Sequence, residues 1–394
     1  MGNVIRNIGG VDLMINPNKA NEVFFEEDFI IANKIESEDL SPNDLCKYIA
    51  GNRYLPLIAT WELLDKCSFG CSFCYIVGHS KYKVVKFNEM KPNIEKLIDM
   101  GLLYCMLTGG EATMHPDFAK IYRFLKESGV IVEVYTNGSL IDDTILELFR
   151  ELPPYRIEVS IYGVTQNNFE LVAGTDKFRF ETVLDNILKL KNDNHNLRCK
   201  TPLNSTTLEE FENIAGWCKT NEVEFYYATN IYEAYDGIQL DKFAVDIETA
   251  MKFEAKKILD IEQRFTGEID IYSNPKGKTC YTCGIRNYGL HINSGFELMP
   301  CSETHFEQSK SSIRTVGIEK AIEKYRNFVS PFIGRDIIGC TGCEASNFCK
   351  MCSAKAEPVK DTFGNISDFK VPENHCENQR KKSRLIVQEI MNIA

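Results

Sequence analysis

From residue 55 onward the chain alternates short apolar runs with amphipathic stretches. LPLIATWELL (55–64), YCMLTGG (104–110), IVEVYTNGS (131–139), RIEVSIYG (156–163), NLRCKTPLN (196–204) and EFYYATNIY (224–232) are rich in β-branched and aromatic residues, the composition of strands. Between them lie segments with helical spacing. In FAKIYRFLKESG, Phe118, Ile121, Tyr122 and Leu125 share one face and Gly129 ends the run; in IDDTILELFREL, Ile141, Ile145, Leu148 and Phe149 do the same. Repetition of this kind predicts parallel strands with right-handed crossovers, and six units predict an α/β fold built as an open, partial (β/α)6 TIM-like barrel. Chemistry in such a barrel gathers at the C-terminal ends of the strands, where the sequence sets TGGE, TNGS and a group of cysteines.

The flanks differ from this core. Residues 1–54 read as a few strands followed by a helix, with Ser41-Pro42 as cap and first turn, an N-terminal extension that could form a strand-rich lid on the barrel. AVDIETAMKFEAKKILDIEQRF (244–265) predicts a long amphipathic helix that closes the barrel. The expected division is therefore 1–54, a 55–243 core, a 244–270 linking helix and a cysteine-rich 271–394 region. No window approaches the roughly 18 apolar residues of a membrane span, and the first residues lack a signal-peptide run, so the chain is expected to be cytoplasmic and to have no membrane partner.

Charge narrows the partners. With 45 basic and 56 acidic residues the net charge is −11, which argues against a nucleic-acid partner and for a small molecule or peptide. Fifteen cysteines in a chain of this length point to metal ligation rather than to disulfides in a reducing compartment. Cys46, Cys105, Cys199 and Cys218 stand apart from the others and read as small buried apolar residues. The remaining eleven form two groups.

The first group is DKCSFGCSFCYIVGHS, with Cys67, Cys71 and Cys74 in one loop. Three thiolates can hold three irons of a cubane cluster and leave the fourth open to a ligand that is not protein; with His79 as a fourth ligand they could instead hold zinc. The second group comprises Cys280, Cys283, Cys301, Cys340, Cys343, Cys349, Cys352 and Cys376. Its number fits two four-thiolate sets, and its CxxC pairs fit either iron–sulfur clusters or zinc. Near the first group, Glu111 could be a helix-entry carboxylate and Thr136-Asn137-Gly138 a turn.

Cys67, Cys71 and Cys74, with Phe73 before the last, reproduce a CxxxCxΦC motif. Followed by Gly109-Gly110-Glu111 and Thr136-Asn137-Gly138, the arrangement resembles the radical S-adenosylmethionine (radical SAM) enzymes over about residues 55–235. The resemblance implies a 4Fe-4S cluster on the three cysteines, chelated at its fourth iron by S-adenosylmethionine. Reductive cleavage of that cofactor would yield a 5′-deoxyadenosyl radical that abstracts a hydrogen atom. Gly109 and Gly110 would approach the methionine amino group, with Glu111 an anion beside the cationic cofactor. Phe73, Thr136 and Asn137 would also contact the cofactor, Ser160 would meet its ribose, and Lys200 or Arg198 would meet the methionine carboxylate.

The second cysteine group resembles the SPASM extension of peptide-modifying members, which carries two auxiliary 4Fe-4S clusters. Two spacings depart from that pattern: five residues separate Gly295 from Cys301, and two separate Cys349 from Cys352. Carried over, Cys280, Cys283, Cys301 and Cys352 would hold a barrel-proximal cluster and Cys340, Cys343, Cys349 and Cys376 a distal one. The implied function is maturation of a ribosomally synthesised precursor peptide by a thioether or carbon–carbon crosslink, with ferredoxin or flavodoxin as electron donor. The N-terminal extension would then be a candidate peptide-binding module. Side-chain oxidation to formylglycine is the second reading; it needs a carboxylate base, for which Asp236, Glu233 and Asp241 are candidates. The third is a non-enzymatic iron–sulfur or zinc redox sensor.

Overall fold

The structure, a computed structural model, describes residues 4–16, 23–25, 42–76, 82–229, 231, 240–265, 278, 280–281, 283–304, 306–340, 343, 345, 349, 351–372 and 375–393. In chain order its strands and longer helices begin with β1 (Val4–Ile8), β2 (Val11–Ile15), β3 (Val23–Phe25) and α1 (Pro42–Ala50). The core follows as β4 (Ile58–Glu62), α2 (Phe87–Asp99), β5 (Tyr104–Thr108), α3 (Phe118–Glu127), β6 (Ile131–Thr136), α4 (Asp143–Glu151), β7 (Arg156–Ser160), α5 (Gln166–Ala173), α6 (Phe180–Asn192), β8 (Leu197–Pro202), α7 (Phe211–Thr220) and β9 (Glu224–Ala228). The rest is α8 (Ile247–Phe265), β10 (Gly289–Ile292), β11 (Glu297–Met299), β12 (Ser311–Ser312), α9 (Ile318–Val329), β13 (Glu357–Lys360), β14 (Ile366–Lys370) and α10 (His375–Ile393).

β4 to β9 lie side by side in chain order and pair in parallel throughout, as in Trp61 opposite Leu107 and Val159 opposite Cys199. The helices bury the faces that their spacing predicts: Phe118, Ile121, Tyr122 and Leu125 on α3, and Ile145, Leu148 and Phe149 on α4, whose first turn is capped by the Asp142 side chain accepting from the Ile145 N–H at 2.9 Å. The sheet does not end at β4. β10 pairs with it in parallel, Leu290 opposite Ala59, and β11 and β12 follow antiparallel, so the cysteine-rich region supplies three strands to a nine-stranded sheet.

The N-terminal strands and α1 pack below this sheet. Ile8, Leu13, Cys46 and Ile49 share a core with Leu57, Leu103, Tyr104 and Ile131, residues at the start of the parallel strands. Arg6 fixes the contact by donating to the Leu102 and Ile98 carbonyls at 2.6 and 2.7 Å. The described part of the extension therefore closes the base of the barrel, the end opposite the TGGE and TNGS motifs. Sequence alone could not orient it, because its apolar face carries no end-specific mark.

α8 covers the far edge. Its Phe253 meets Phe211 of α7 and Tyr227 of β9 at centroid distances of 4.7 and 5.6 Å, and α10 lies along it with Ile386 and Ile390 buried in the same core. Among the described residues no helix is long and apolar enough to cross a membrane. Cys46, Cys105, Cys199 and Cys218 are all fully buried.

Candidate functional site

The loop after β4 carries Cys67, Cys71 and Cys74 and is threaded against the end of β5. Leu63 donates to the Thr108 carbonyl, and Gly110 and Glu111 donate to the Leu64 and Lys66 carbonyls at 2.8 and 2.9 Å. These contacts require glycine. A Cβ on Gly109 would sit 2.4 Å from the Leu64 oxygen, and one on Gly110 would sit 2.1 Å from the Lys66 oxygen. Gly109 also adopts φ +132°. The two glycines thus admit the backbone of the cysteine loop.

A second glycine contact pins the loop's middle. The Gly70 N–H donates to the Ala173 carbonyl at 2.7 Å, and a Cβ on Gly174, the left-handed residue that ends α5, would meet the Gly70 oxygen at 2.3 Å. Phe69 fills the space alongside, its ring 5.4 Å from Phe169, 5.9 Å from Phe178 and 6.2 Å from Tyr162. Phe73 meets the other side of Tyr162 at 5.7 Å. The Tyr162 hydroxyl in turn links Ser160 to the Cys71 thiol.

Glu111 and the TNG segment form one hydrogen-bonded unit. One carboxylate oxygen of Glu111 accepts from the Thr113 N–H and hydroxyl and from the Thr136 hydroxyl, and the other accepts from the Asn137 N–H at 2.6 Å. The side chain is fully buried. It caps the short helical turn Ala112–Met114, the helix-entry role open to it from sequence, and ties the end of β5 to the end of β6. Asn137 then faces the loop: its amide donates to Ser68 Oγ at 2.8 Å and toward Cys67 Sγ at 3.5 Å, while Ser139 completes the group through Ser68 at 2.9 Å. The Phe69 N–H also points at Cys67 Sγ, at 3.4 Å.

Burial raises all three thiols, Cys74 to about 11, and mutual repulsion among the three raises Cys71 further. Such thiols ionise only beside a strong positive charge. With two N–H donors aimed at Cys67 Sγ, the loop suits a multivalent iron centre.

Lys200 sits one strand from Ser160, directly opposite it in register. Its ammonium bonds Glu158 at 3.2 Å and lies over the Tyr135 ring at 4.7 Å; Arg198 holds the other Glu158 oxygen at 3.0 Å and Glu224 at 2.6 Å. Glu158 is buried, so these cations are committed first to a neighbour in the sheet. His79, Asp236 and Glu233 lie outside the described residues, and Asp241 begins a short turn (Asp241–Phe243) whose first side chain is not described.

Four of the second cysteine group surround one cavity. Cys340, Cys343, Cys349 and Cys376 line it together with Lys278, His375 and Gln379. Cys280, Cys301 and Cys352 all act electrostatically on Tyr281, and Cys352 acts on both Cys280 and Cys301; Cys280 also faces Cys340 of the first set, and Cys283 is exposed and near Tyr325. Among the described residues no three His, Cys, Asp or Glu side chains converge around one ion position. Four thiols around a shared cavity are a donor set that fits either a 4Fe-4S cluster or zinc. Lys278, His375 and Tyr162 carried no mark in the sequence, since each is a lone residue brought in by the fold.

Comparison with known proteins agrees with this geometry. Residues 61–218 match the radical SAM superfamily. The chain is 29% identical over 160 residues to the AdoMet-dependent heme synthase of Methanosarcina barkeri, covering 39% of this chain and 45% of that protein. It is 34% identical over 97 residues to the subtilosin biosynthesis protein AlbA of Bacillus subtilis, covering 24% and 22%. It thus spans less than half the length of these curated relatives. Streptococcus suis SuiB bound to S-adenosylmethionine superposes with a TM-score of 0.58 at 16% identity, over 83% of this chain and 89% of that one, and the same protein has been solved bound to its precursor peptide SuiA. That likeness establishes the fold.

Proposed function

Taking as premise that residues 61–218 form a radical SAM domain, we propose that the chain modifies a ribosomally synthesised precursor peptide, forming a thioether or carbon–carbon crosslink. The observation that carries this reading is the cavity shared by Cys340, Cys343, Cys349 and Cys376, a second thiolate site distinct from the loop at the strand ends. A 4Fe-4S cluster bound with S-adenosylmethionine supplies one-electron cleavage of the sulfonium and hence a 5′-deoxyadenosyl radical. Cys67, Cys71 and Cys74 hold that cluster. Asn137 and the Phe69 N–H stabilise the Cys67 thiolate, and Glu111 keeps Asn137 in place. Lys200, Ser160 and Thr136, near the C-terminal ends of β8, β7 and β6, would line the cofactor site.

The likeness to AlbA and to the peptide-binding SuiB favours a peptide as substrate, whereas the likeness to a heme synthase means that the radical SAM domain alone does not choose it. The eight C-terminal cysteines make the choice, as two auxiliary clusters on Cys280, Cys283, Cys301 and Cys352 and on Cys340, Cys343, Cys349 and Cys376. Ferredoxin or flavodoxin delivers the electron. The test is anaerobic reconstitution followed by iron analysis and incubation with the short peptide encoded beside the gene. Three cubane clusters, about twelve irons, and a peptide product lighter by two hydrogens support the reading. About four irons with stoichiometric zinc, or an unchanged peptide with a modified sulfatase substrate, would replace it.

A further inference from the structure

The cavity between Cys340, Cys343, Cys349 and Cys376 has three other lining residues, Lys278, His375 and Gln379. His375 Nε2 lies 3.7 Å from Cys349 Sγ, at the limit of a hydrogen bond to sulfur. The Lys278 ammonium acts electrostatically on both Cys340 and Cys349. His375, Cys376 and Gln379 all belong to the opening residues of α10, so the positive end of a 19-residue helix is turned toward the cavity. Glu377, the acidic residue of that first turn, is exposed and outside the lining.

The other cysteine set has different neighbours. Glu303 acts on Cys301 and Cys352, and Asp368 on Cys280. Glu303 is paired with Lys355 at 3.2 Å. One cage is thus faced by a cation, an imidazole and a helix N-terminus, and the other by two carboxylates together with two cations, Arg335 acting on Cys280 and Lys355 on Cys352.

Adding one electron to a cluster held by four thiolates adds one negative charge. Positive neighbours and N–H donors to the sulfurs stabilise that reduced form and raise its potential. We propose that Lys278 and His375 are tuning residues that make the distal cluster the more easily reduced of the two auxiliary clusters, with His375 donating from Nε2 to the Cys349 thiolate. The inference rests on the reading that each cysteine set holds a cluster. It concerns a potential, which can be measured without peptide turnover.

The test is a potentiometric titration of the full-length, anaerobically reconstituted protein followed by electron paramagnetic resonance. The signal absent from Cys376→Ala identifies the distal cluster. In wild type that signal should develop at the higher potential of the auxiliary pair. Lys278→Met should shift its oxidised-to-reduced ratio at fixed potential about tenfold toward oxidised, which is ~59 mV for a one-electron couple. His375→Phe should shift it in the same direction by a smaller factor, and Lys278→Arg should restore the wild-type midpoint. An unmoved distal midpoint in Lys278→Met with full iron content overturns the inference. Should Lys278→Met lose its cluster, the His375→Phe midpoint decides alone. If Cys376→Ala binds as much iron as wild type, the cluster reading itself fails and the inference with it.

Discussion

The loop carrying Cys67, Cys71 and Cys74 is braced by close glycine contacts and a chain of side-chain hydrogen bonds, whereas the segment carrying Cys340, Cys343 and Cys349 is tied by backbone hydrogen bonds to Lys278, Cys280 and β14. In the first, Gly109 and Gly110 at the end of β5 and Gly174 at the end of α5 bring two other backbone segments against the loop, and the Glu111–Asn137–Ser68 chain fixes it laterally. In the second, the described residues between Phe332 and β13 at Glu357 include no α-helix and no strand beyond bridge positions at Asp336 and Ile338. Four thiols arrive there from this segment and from the start of α10. The difference suggests two strategies. A centre that must present an open coordination site is preorganised by the fold, while a fully ligated one can let ligation energy complete the fold.

The comparison breaks most sharply at the first loop's ligands. Cys67→Ala, Cys71→Ala or Cys74→Ala should abolish 5′-deoxyadenosine formation, measured by chromatography after dithionite reduction, because an open-site cluster needs all three thiolates. Residual cleavage in the triple variant would place the radical chemistry elsewhere. Removing iron with a chelator should next separate the regions. Amide exchange should rise in 333–356 and at the start of α10 while β4 to β7 keep their protection, since only the former depends on ligation. Equal loss in both would erase the distinction.

Gly110→Ala should cost about 3 kcal/mol or more and deplete iron at the first site alone, because its Cβ meets backbone that cannot step aside. The measurement is denaturant unfolding together with iron content. Glu111→Gln is the gentlest probe. It weakens the acceptor for Thr136 and Asn137 and should cost about 1–3 kcal/mol. Burial raises the Glu111 carboxyl above its ordinary 4.5, against hydrogen bonds from Asn137, Thr113 and Thr136 that lower it. The folded state therefore holds this proton more tightly than the unfolded chain. That contribution is fully present below pH 4.5 and is lost as pH rises through the higher folded value, a slope that Glu111→Gln should remove from the stability profile.

The barrel was readable because each of its strands is a short apolar run set off by polar or glycine breaks, and because helices α3 and α4 keep one clean apolar face. The cysteine loop was readable because its spacing is local. What supports it was not. Gly70 meets Gly174 across about a hundred residues, and Asn137 meets Ser68 across 69, contacts that leave no periodicity in the chain. Glu111 shows the limit of motif reading: its hydrogen bonds to Thr136 and Asn137, which tie the end of β5 to the end of β6, leave no mark in the chain. Residues 1–54 illustrate the same limit from the packing side, since Ile8 and Leu13 fit a lid as well as the base they in fact cover.

On the proposed function, radical generation belongs to the barrel and product formation to the cysteine-rich region. Cys349→Ala tests that claim most directly, with 5′-deoxyadenosine and modified peptide quantified in one reaction and helical signal and iron content checked on the same sample. A folded variant that keeps the first cluster should still release 5′-deoxyadenosine while making no modified peptide. Wild-type amounts of modified peptide from that variant would contradict the claim and leave the C-terminal cysteines without the role assigned to them.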